Sequence, residues 1–249
     1  MFKKLSNDIG LRSPSVIHGE TSRYNLVGQE TGDICGHMTR QVSKVEQDGK
    51  LCYQLETTTN FADLRSSTEK VIMEITDFLK PLSYTRVVKN GGGQVIMEAN
   101  MWYVEEYEEI NIIPQAGMSF CMRGGPFLPK SKITMCMIMP EARQMKIHGN
   151  VTRDTITVPV GTFQCYKVDI VPDTQSMMDM MPSGVRRLPG MGSALQHFVP
   201  SMCRWFTLEE PHYLLKAEGA AMGMGPPASE AINEELVGVE IDGGSVLST

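Results

Sequence analysis

The stretch Thr155–Ile170, Thr-Ile-Thr-Val-Pro-Val-Gly-Thr-Phe-Gln-Cys-Tyr-Lys-Val-Asp-Ile, constrains the fold more than any other. Two runs rich in β-branched and aromatic residues flank Pro159 and Gly161. Proline fixes φ, and glycine reaches backbone conformations that other residues resist, so the chain reverses there and the two runs pair as a hairpin. That hairpin reads as the centre of an antiparallel sheet.

The same rhythm extends in both directions. Tyr24 and Leu26 alternate with Arg23 and Asn25, as in a strand with one wet face. Ile34–Val45 is a second strand, and Asp48-Gly49 turns it into a third from Leu51 to Asn60. Glu69–Thr76 and Ser83–Val88 follow, then the turn Asn90-Gly91-Gly92-Gly93 and a strand carrying Trp102. Pro114–Pro129 reads as a loop with one short helical turn. Beyond it, Ile133, Met135 and Met137 alternate with Thr134, Cys136 and Ile138, so that strand is apolar on both faces and central. The chain is therefore expected to be mainly all-β: one curved antiparallel sheet or half-barrel of about 9–11 strands with short connections.

One domain spans residues 1–249 in this reading. Residues 1–20 form an N-terminal arm, and 21–171 with 203–220 form the sheet. Residues 172–202 are a Met-rich, partly helical lid insertion, too long for a hairpin and too apolar for a linker. Residues 221–249 are expected to be a flexible C-terminal segment, with a short helix over Ser229–Glu235 and an edge strand over Leu236–Ile241.

A net charge of −6 and a pI near 5.4 argue against a nucleic-acid partner, because phosphate-backbone binding needs clustered Lys and Arg. No apolar segment is long enough for a transmembrane helix. The opening residues, Met-Phe-Lys-Lys-Leu-Ser-Asn-Asp, lack the apolar core of an export signal. A cytoplasmic location is expected, or a periplasmic one if an export signal has been removed. The six cysteines form no C-x-x-C pair and read as reduced thiols used as small hydrophobes. The 19 methionines are the compositional outlier, and Met favours adaptable apolar surfaces.

The segment Val158-Pro-Val-Gly-Thr-Phe-Gln-Cys-Tyr-Lys-Val168, with Leu79-Lys-Pro-Leu-Ser-Tyr84, Trp205-Phe206 and Pro211-His-Tyr-Leu-Leu-Lys216, resembles a family of uncharacterised bacterial proteins. These are mostly exported and related in fold to lipoprotein carriers and receptors of the LolA/LolB type. The resemblance implies a half-barrel curled around a hydrophobic concavity and partly closed by helical or loop segments. It implies no common reaction and carries over no catalytic residues. The chain departs from the family in its Met-rich insertion and in its missing export signal.

The expected function is binding of a hydrophobic or amphiphilic small molecule between the curved sheet and the Met-rich lid. Tyr53, Trp102, Met135, Met137 and Trp205 are the expected cavity walls; Met177, Met178, Met180 and Met181 are the expected lid. Arg187, beside Arg186 in the apolar insertion, is suited to pair with a ligand carboxylate or phosphate. The alternative is a cofactor-independent enzyme, a cyclase, isomerase or hydrolase, using the same cavity to orient a substrate. Asp179, His197 and Glu106 are the first catalytic candidates. A third reading has the Met-rich segment dock a protein partner. Soft Met, His and Cys donors near residues 177–203 are weighed as a Cu(I) site and set aside, so neither a metal nor a cofactor is expected. No histidine lies in an H-x-x-H pattern, and Ser193 lacks the flanking glycine and preceding strand of a nucleophile turn.

Overall fold

The computed structural model describes residues 11–16, 18–77, 79–103, 112–138, 144–180, 202–219 and 231–248. Six long strands open the chain: β1 (Glu20–Gly28), β2 (Ile34–Gln47), β3 (Lys50–Phe61), β4 (Ser66–Ile75), β5 (Leu79–Lys89) and β6 (Val95–Trp102). A short β7 (Ile112–Pro114), a 3-10 turn (Gln115–Gly117) and α1 (Met118–Met122) follow. Then come β8 (Lys132–Ile138), β9 (Gln144–Val158), β10 (Gly161–Pro172) and α2 (Thr174–Met180). The last elements are β11 (Met202–Thr207), β12 (Leu214–Glu218), β13 (Ile232–Ile241) and β14 (Gly244–Ser248).

These fourteen strands, counted among the described residues, build one curved, unclosed sheet in the order β6-β5-β4-β3-β2-β1-β13-β12-β11-β10-β9-β8-β7, with β14 paired to β13. Pairing is antiparallel except for the parallel contact of β7 with β8. The turns follow from their residues. Asp48 and Gly49 both take positive φ, 52° and 74°, which matches the right-handed twist of the strands they join. Asn90 Oδ1 accepts from the backbone N–H of Gly92 and Gln94, each at 3.0 Å, and Gly93 supplies a φ of 79°. Val158 pairs with Gly161, so Pro159 and Val160 form the two-residue loop of the β9–β10 hairpin.

The C-terminal expectation is corrected. Residues 232–241 are a single strand with neither a helical start nor an edge position: β13 pairs with β1 on one side and with β12 on the other. Ile232, Glu234 and Leu236 point inward in strict alternation, and this period of two overrides the local helix preference of the Glu-rich run. The strand count exceeds the expected range: β14 and the short β7 were not among the expected strands, and β13 extends the strand expected over Leu236–Ile241 back to Ile232. Of the Met-rich insertion, only α2 and its flanks lie among the described residues. Asp173 caps that helix, accepting from the Ser176 N–H at 2.9 Å.

The concave face closes over its own chain. All five residues of α1 are buried beneath the sheet, where Phe120 meets Tyr53 edge-to-face with ring centres 5.5 Å apart. The arm enters too: Leu11 and Val16 join the core, and the Tyr53 hydroxyl donates to Pro14 O at 3.1 Å. Gly124 is required here, since any side chain on it would collide with the Arg12 carbonyl. One ion pair pins this plug. Arg123, at the end of α1, donates from Nη1 and Nη2 to the two carboxylate oxygens of Glu20 on β1, at 2.6 and 2.9 Å, and from Nε to Pro211 O at 2.9 Å. The side chains are only 6% and 2% exposed.

Breaking a buried pair strands one charge, whereas replacing both partners strands none. Arg123→Met alone and Glu20→Leu alone are each expected to cost about 3–5 kcal/mol in urea unfolding, and the double variant to recover most of that loss. A double variant as unstable as the sum of the singles would show that the pair does not act as a unit.

Candidate functional site

The two ends of the sheet approach one another where Met101 and Tyr103, at the end of β6, pack on Cys136 and Ile138 of β8. Between this seam and the middle strands lies a cavity of about 90 Å³. It admits a few waters or a small polar group and is far below the ~300–1,000 Å³ of a site that engulfs a drug-sized ligand.

The cavity wall is built by strand register. Arg40 of β2 pairs laterally with Thr57 of β3, Thr57 with Glu69 of β4, and Glu69 with Arg86 of β5. A second row runs from Glu234 of β13 through Ala217 of β12 to Arg204 of β11. Both rows face inward, so three guanidiniums and two carboxylates line one small space together with Tyr84 and Ser119. Met38, Met101, Met118, Met137 and Met202 supply most of its apolar lining.

The charges are interlocked. Arg86 Nε lies 3.2 Å from Glu69 Oε1, and Arg40 Nη2 lies 3.6 Å from Glu234 Oε2. Tyr84 donates to Glu69 Oε1 at 3.4 Å. Arg204, 3% exposed, donates from Nε to Ser119 Oγ at 3.1 Å and from Nη1 to Cys203 O and Glu218 O at 2.8 and 2.7 Å. Among the described residues, the buried Arg40 Nε and Glu234 Oε2 have no hydrogen-bond partner.

Burial sets the titration behaviour. It pushes the Glu69 carboxyl up, against the pull of Arg86 and Arg40. Tyr84 is raised by burial and by the Glu69 charge, and Arg204 is lowered by burial. Burial also opposes the charge of Arg40, but Glu234, Tyr24 and Glu69 outweigh it and hold this guanidinium above its ordinary value.

Of the expected cavity residues, Met137 alone lines this cavity. Met135 and Tyr53 are packed in the core. Trp205 donates its indole N–H to Asp154 Oδ2 at 2.8 Å, with the Lys167 and Lys216 ammonium groups 5.5 and 5.8 Å from its ring. Trp102 is 72% exposed and lines a separate recess of about 380 Å³, whose one charged lining residue among those described is Lys70. Without converging charges, that recess is the weaker candidate. Met177 packs on the core from α2, Met178 is half-buried, and Asp179 is exposed, accepting from Gln175 Nε2 at 3.0 Å; none of the three lines the arginine cavity. Glu106, Met181, Arg187 and His197, and the side chain of Met180, lie outside the described residues.

Sequence reasoning missed Arg40, Glu69, Arg86, Arg204 and Glu234. The signal was present: each has strand neighbours two positions away on both sides that are buried, Met38 and Val42 around Arg40, Ser67 and Val71 around Glu69, Tyr84 and Val88 around Arg86, Met202 and Phe206 around Arg204, Ile232 and Leu236 around Glu234. A charge in the inward slot of an alternating strand is the mark of a polar interior.

Among the described residues, no group of three or more His, Cys, Asp or Glu is placed to hold a metal ion. All six cysteines are free thiols. Burial raises Cys121 to about 12 and Cys165 and Cys203 to about 11, so these three are protonated at neutral pH and poor nucleophiles. No helix among the described residues is long and apolar enough to cross a membrane.

The chain matches no protein-family model and none of the curated proteins. Two solved structures are similar to it. One is a candidate exported protein with a YMCC-like fold from Bacteroides fragilis, with 11% identity, a TM-score of 0.37, and coverage of 93% of this chain and 100% of that one. The other is a candidate lipoprotein from Parabacteroides distasonis, with 11% identity, a TM-score of 0.31, and coverage of 94% of this chain and 100% of that one.

A carboxyl whose pKa is higher folded than unfolded binds its proton more tightly in the native state, so its contribution is full below the unfolded value and is lost as pH rises through the folded one. For Glu69 that window opens at the ordinary value of 4.5 and extends upward. Glu69→Gln abolishes the titration. Relative to this variant, the wild-type chain is expected to lose stability steadily as pH is raised from about 4.5 in urea unfolding series. The slope of the difference is the test, and a flat difference would refute the raised carboxyl.

Proposed function

We propose that this chain is a binding protein for a small amphiphilic molecule, held with its polar end in the arginine-lined cavity. The observation that carries this reading is the meeting, in one cavity, of Arg40, Arg86 and Arg204 with Met38, Met101, Met118, Met137 and Met202. Guanidiniums recognise a polar head by directed hydrogen bonds, and methionine side chains accept apolar groups without demanding one shape. The half-buried lining residues Met101, Tyr103, Gln115, Ala116 and Gly219 mark the mouth, and Arg86, Arg204 and Glu234 are buried. With only about 90 Å³ inside, the head enters and a longer apolar part extends past the mouth.

A curved sheet presenting a cavity to a small molecule also accords with the likeness to LolA/LolB-type carriers read from the sequence motifs. Binding is preferred to catalysis because, among the described residues, no histidine lines the cavity and both its glutamates face arginines. The cavity carries more polar recognition than the hydrophobic pocket expected from sequence.

Octanoate, octyl phosphate, octylammonium and octyl glucoside serve as probes in native mass spectrometry and thermal unfolding. At least one is expected to give a 1:1 adduct and, at a hundredfold excess over its Kd, to add about 2.7 kcal/mol of stability. Ala116→Trp, which narrows the mouth, is expected to weaken that binding at least tenfold with the unfolding temperature of the free protein retained. Absence of adduct and stabilisation with all four probes would end the proposal.

A further inference from the structure

We infer that the polar end taken by this cavity is a single carboxylate, an inference that rests on the binding reading above and names its ligand class. Arg40, Arg86 and Arg204 face Glu69 and Glu234 across the same space, which with all five ionised leaves the described lining with one positive charge in excess. A buried net charge is costly until an opposite one answers it. A monoanion neutralises the cluster, a dianion reverses its sign, a cation doubles the excess, and a neutral head leaves it standing.

The donors point the same way. Arg204 is held in place by Ser119, Cys203 and Glu218 through Nε and Nη1, and its Nη2 has no hydrogen bond among the described residues. Arg40 Nε is a buried N–H with none. Two donors on different guanidiniums suit the two oxygens of a planar carboxylate. Glu234 Oε2, itself without a hydrogen bond, opposes any further negative charge. A cavity of about 90 Å³ accommodates a carboxylate and its first carbons, and the remaining chain leaves past Met101, Tyr103 and Ala116.

Isothermal titration of the full chain at pH 7.5 compares octanoate, its neutral methyl ester, octyl phosphate and octylammonium. Octanoate is expected to bind at least tenfold tighter than the ester and the ammonium, and at least fivefold tighter than the phosphate. Arg40→Gln is expected to weaken octanoate at least tenfold and to leave the ester unchanged. Glu69→Gln, which raises the excess to two positive charges, is expected to shift preference toward octyl phosphate. The wild-type comparison stands even where a variant fails to fold. Equal affinity for acid and ester would overturn the acid head while leaving amphiphile binding intact, and a tighter phosphate or ammonium would replace the monoanion. If no probe binds, the binding reading falls and this inference with it.

Discussion

The bidentate contact between Arg123 and Glu20 fixes where the inner face of the sheet is filled and where it is hollow. A curved sheet of this width has more concave surface than its own side chains can cover, and α1 is the piece that covers part of it. A five-residue helix has too little length to hold itself, so its position rests on its buried side chains and on the Arg123 guanidinium at its end. With Arg123 seated on Glu20, Phe120 faces Tyr53, Cys121 faces Met73, and Met118 and Ser119 are left at the wall of the cavity. The plug thus fills one side of the concavity and provides a wall of the remaining space. Ser119 transmits the arrangement directly, since its hydroxyl accepts from Arg204.

The cavity's charges occupy positions where the fold alone would place apolar residues. Burying an arginine–glutamate network gains little over a hydrophobic wall of equal volume, because desolvation offsets most of the attraction. Stability therefore gives no reason for five charged side chains in inward slots. The pairs also differ in kind. Glu20 and Arg123 are joined by two hydrogen bonds at the plug, whereas Arg40 and Glu234 sit 3.6 Å apart, and Arg40 Nε and Glu234 Oε2 have no hydrogen bond among the described residues. The first has the geometry of a structural ion pair, and the second is the feature on which the proposed binding reading rests.

Much of the sheet was legible in the sequence because its turns carry their own chemistry. Asp48-Gly49, Asn90 to Gly93 and Pro159 to Gly161 each contain the residues their backbone geometry demands. The single helical turn near residues 115–122 was also readable from the glycines and prolines around it. What escaped was non-local. β13 reads as helix-prone by composition, and only its pairing with β1, more than 190 residues earlier in the chain, makes it a central strand. Glu20 and Arg123 are 103 residues apart and carry no local mark of one another. At the cavity, attention to bulky aromatics and methionines found Met137 and passed over the arginines, because a lone charge in a strand is ordinarily a wet-face residue. Distinguishing the two requires fixing the register first and then asking which charges fall on the dry face.

The placement of the arginines also bears on how such a site discriminates. Arg204 is held by three hydrogen bonds to Ser119 and to two backbone carbonyls, so its orientation is set before any ligand arrives. Arg86 and Arg40 are oriented by Glu69 and Glu234. Such preorganisation lowers the ordering cost of binding, and the same rigidity penalises a head whose charge or shape does not match. In the proposed binding reading the methionines of the lining tolerate variation in the apolar part, and the guanidiniums restrict the chemistry of the head. Selectivity then resides in five charged residues on five strands, Arg40 on β2, Glu69 on β4, Arg86 on β5, Arg204 on β11 and Glu234 on β13, which the strand register brings to one cavity.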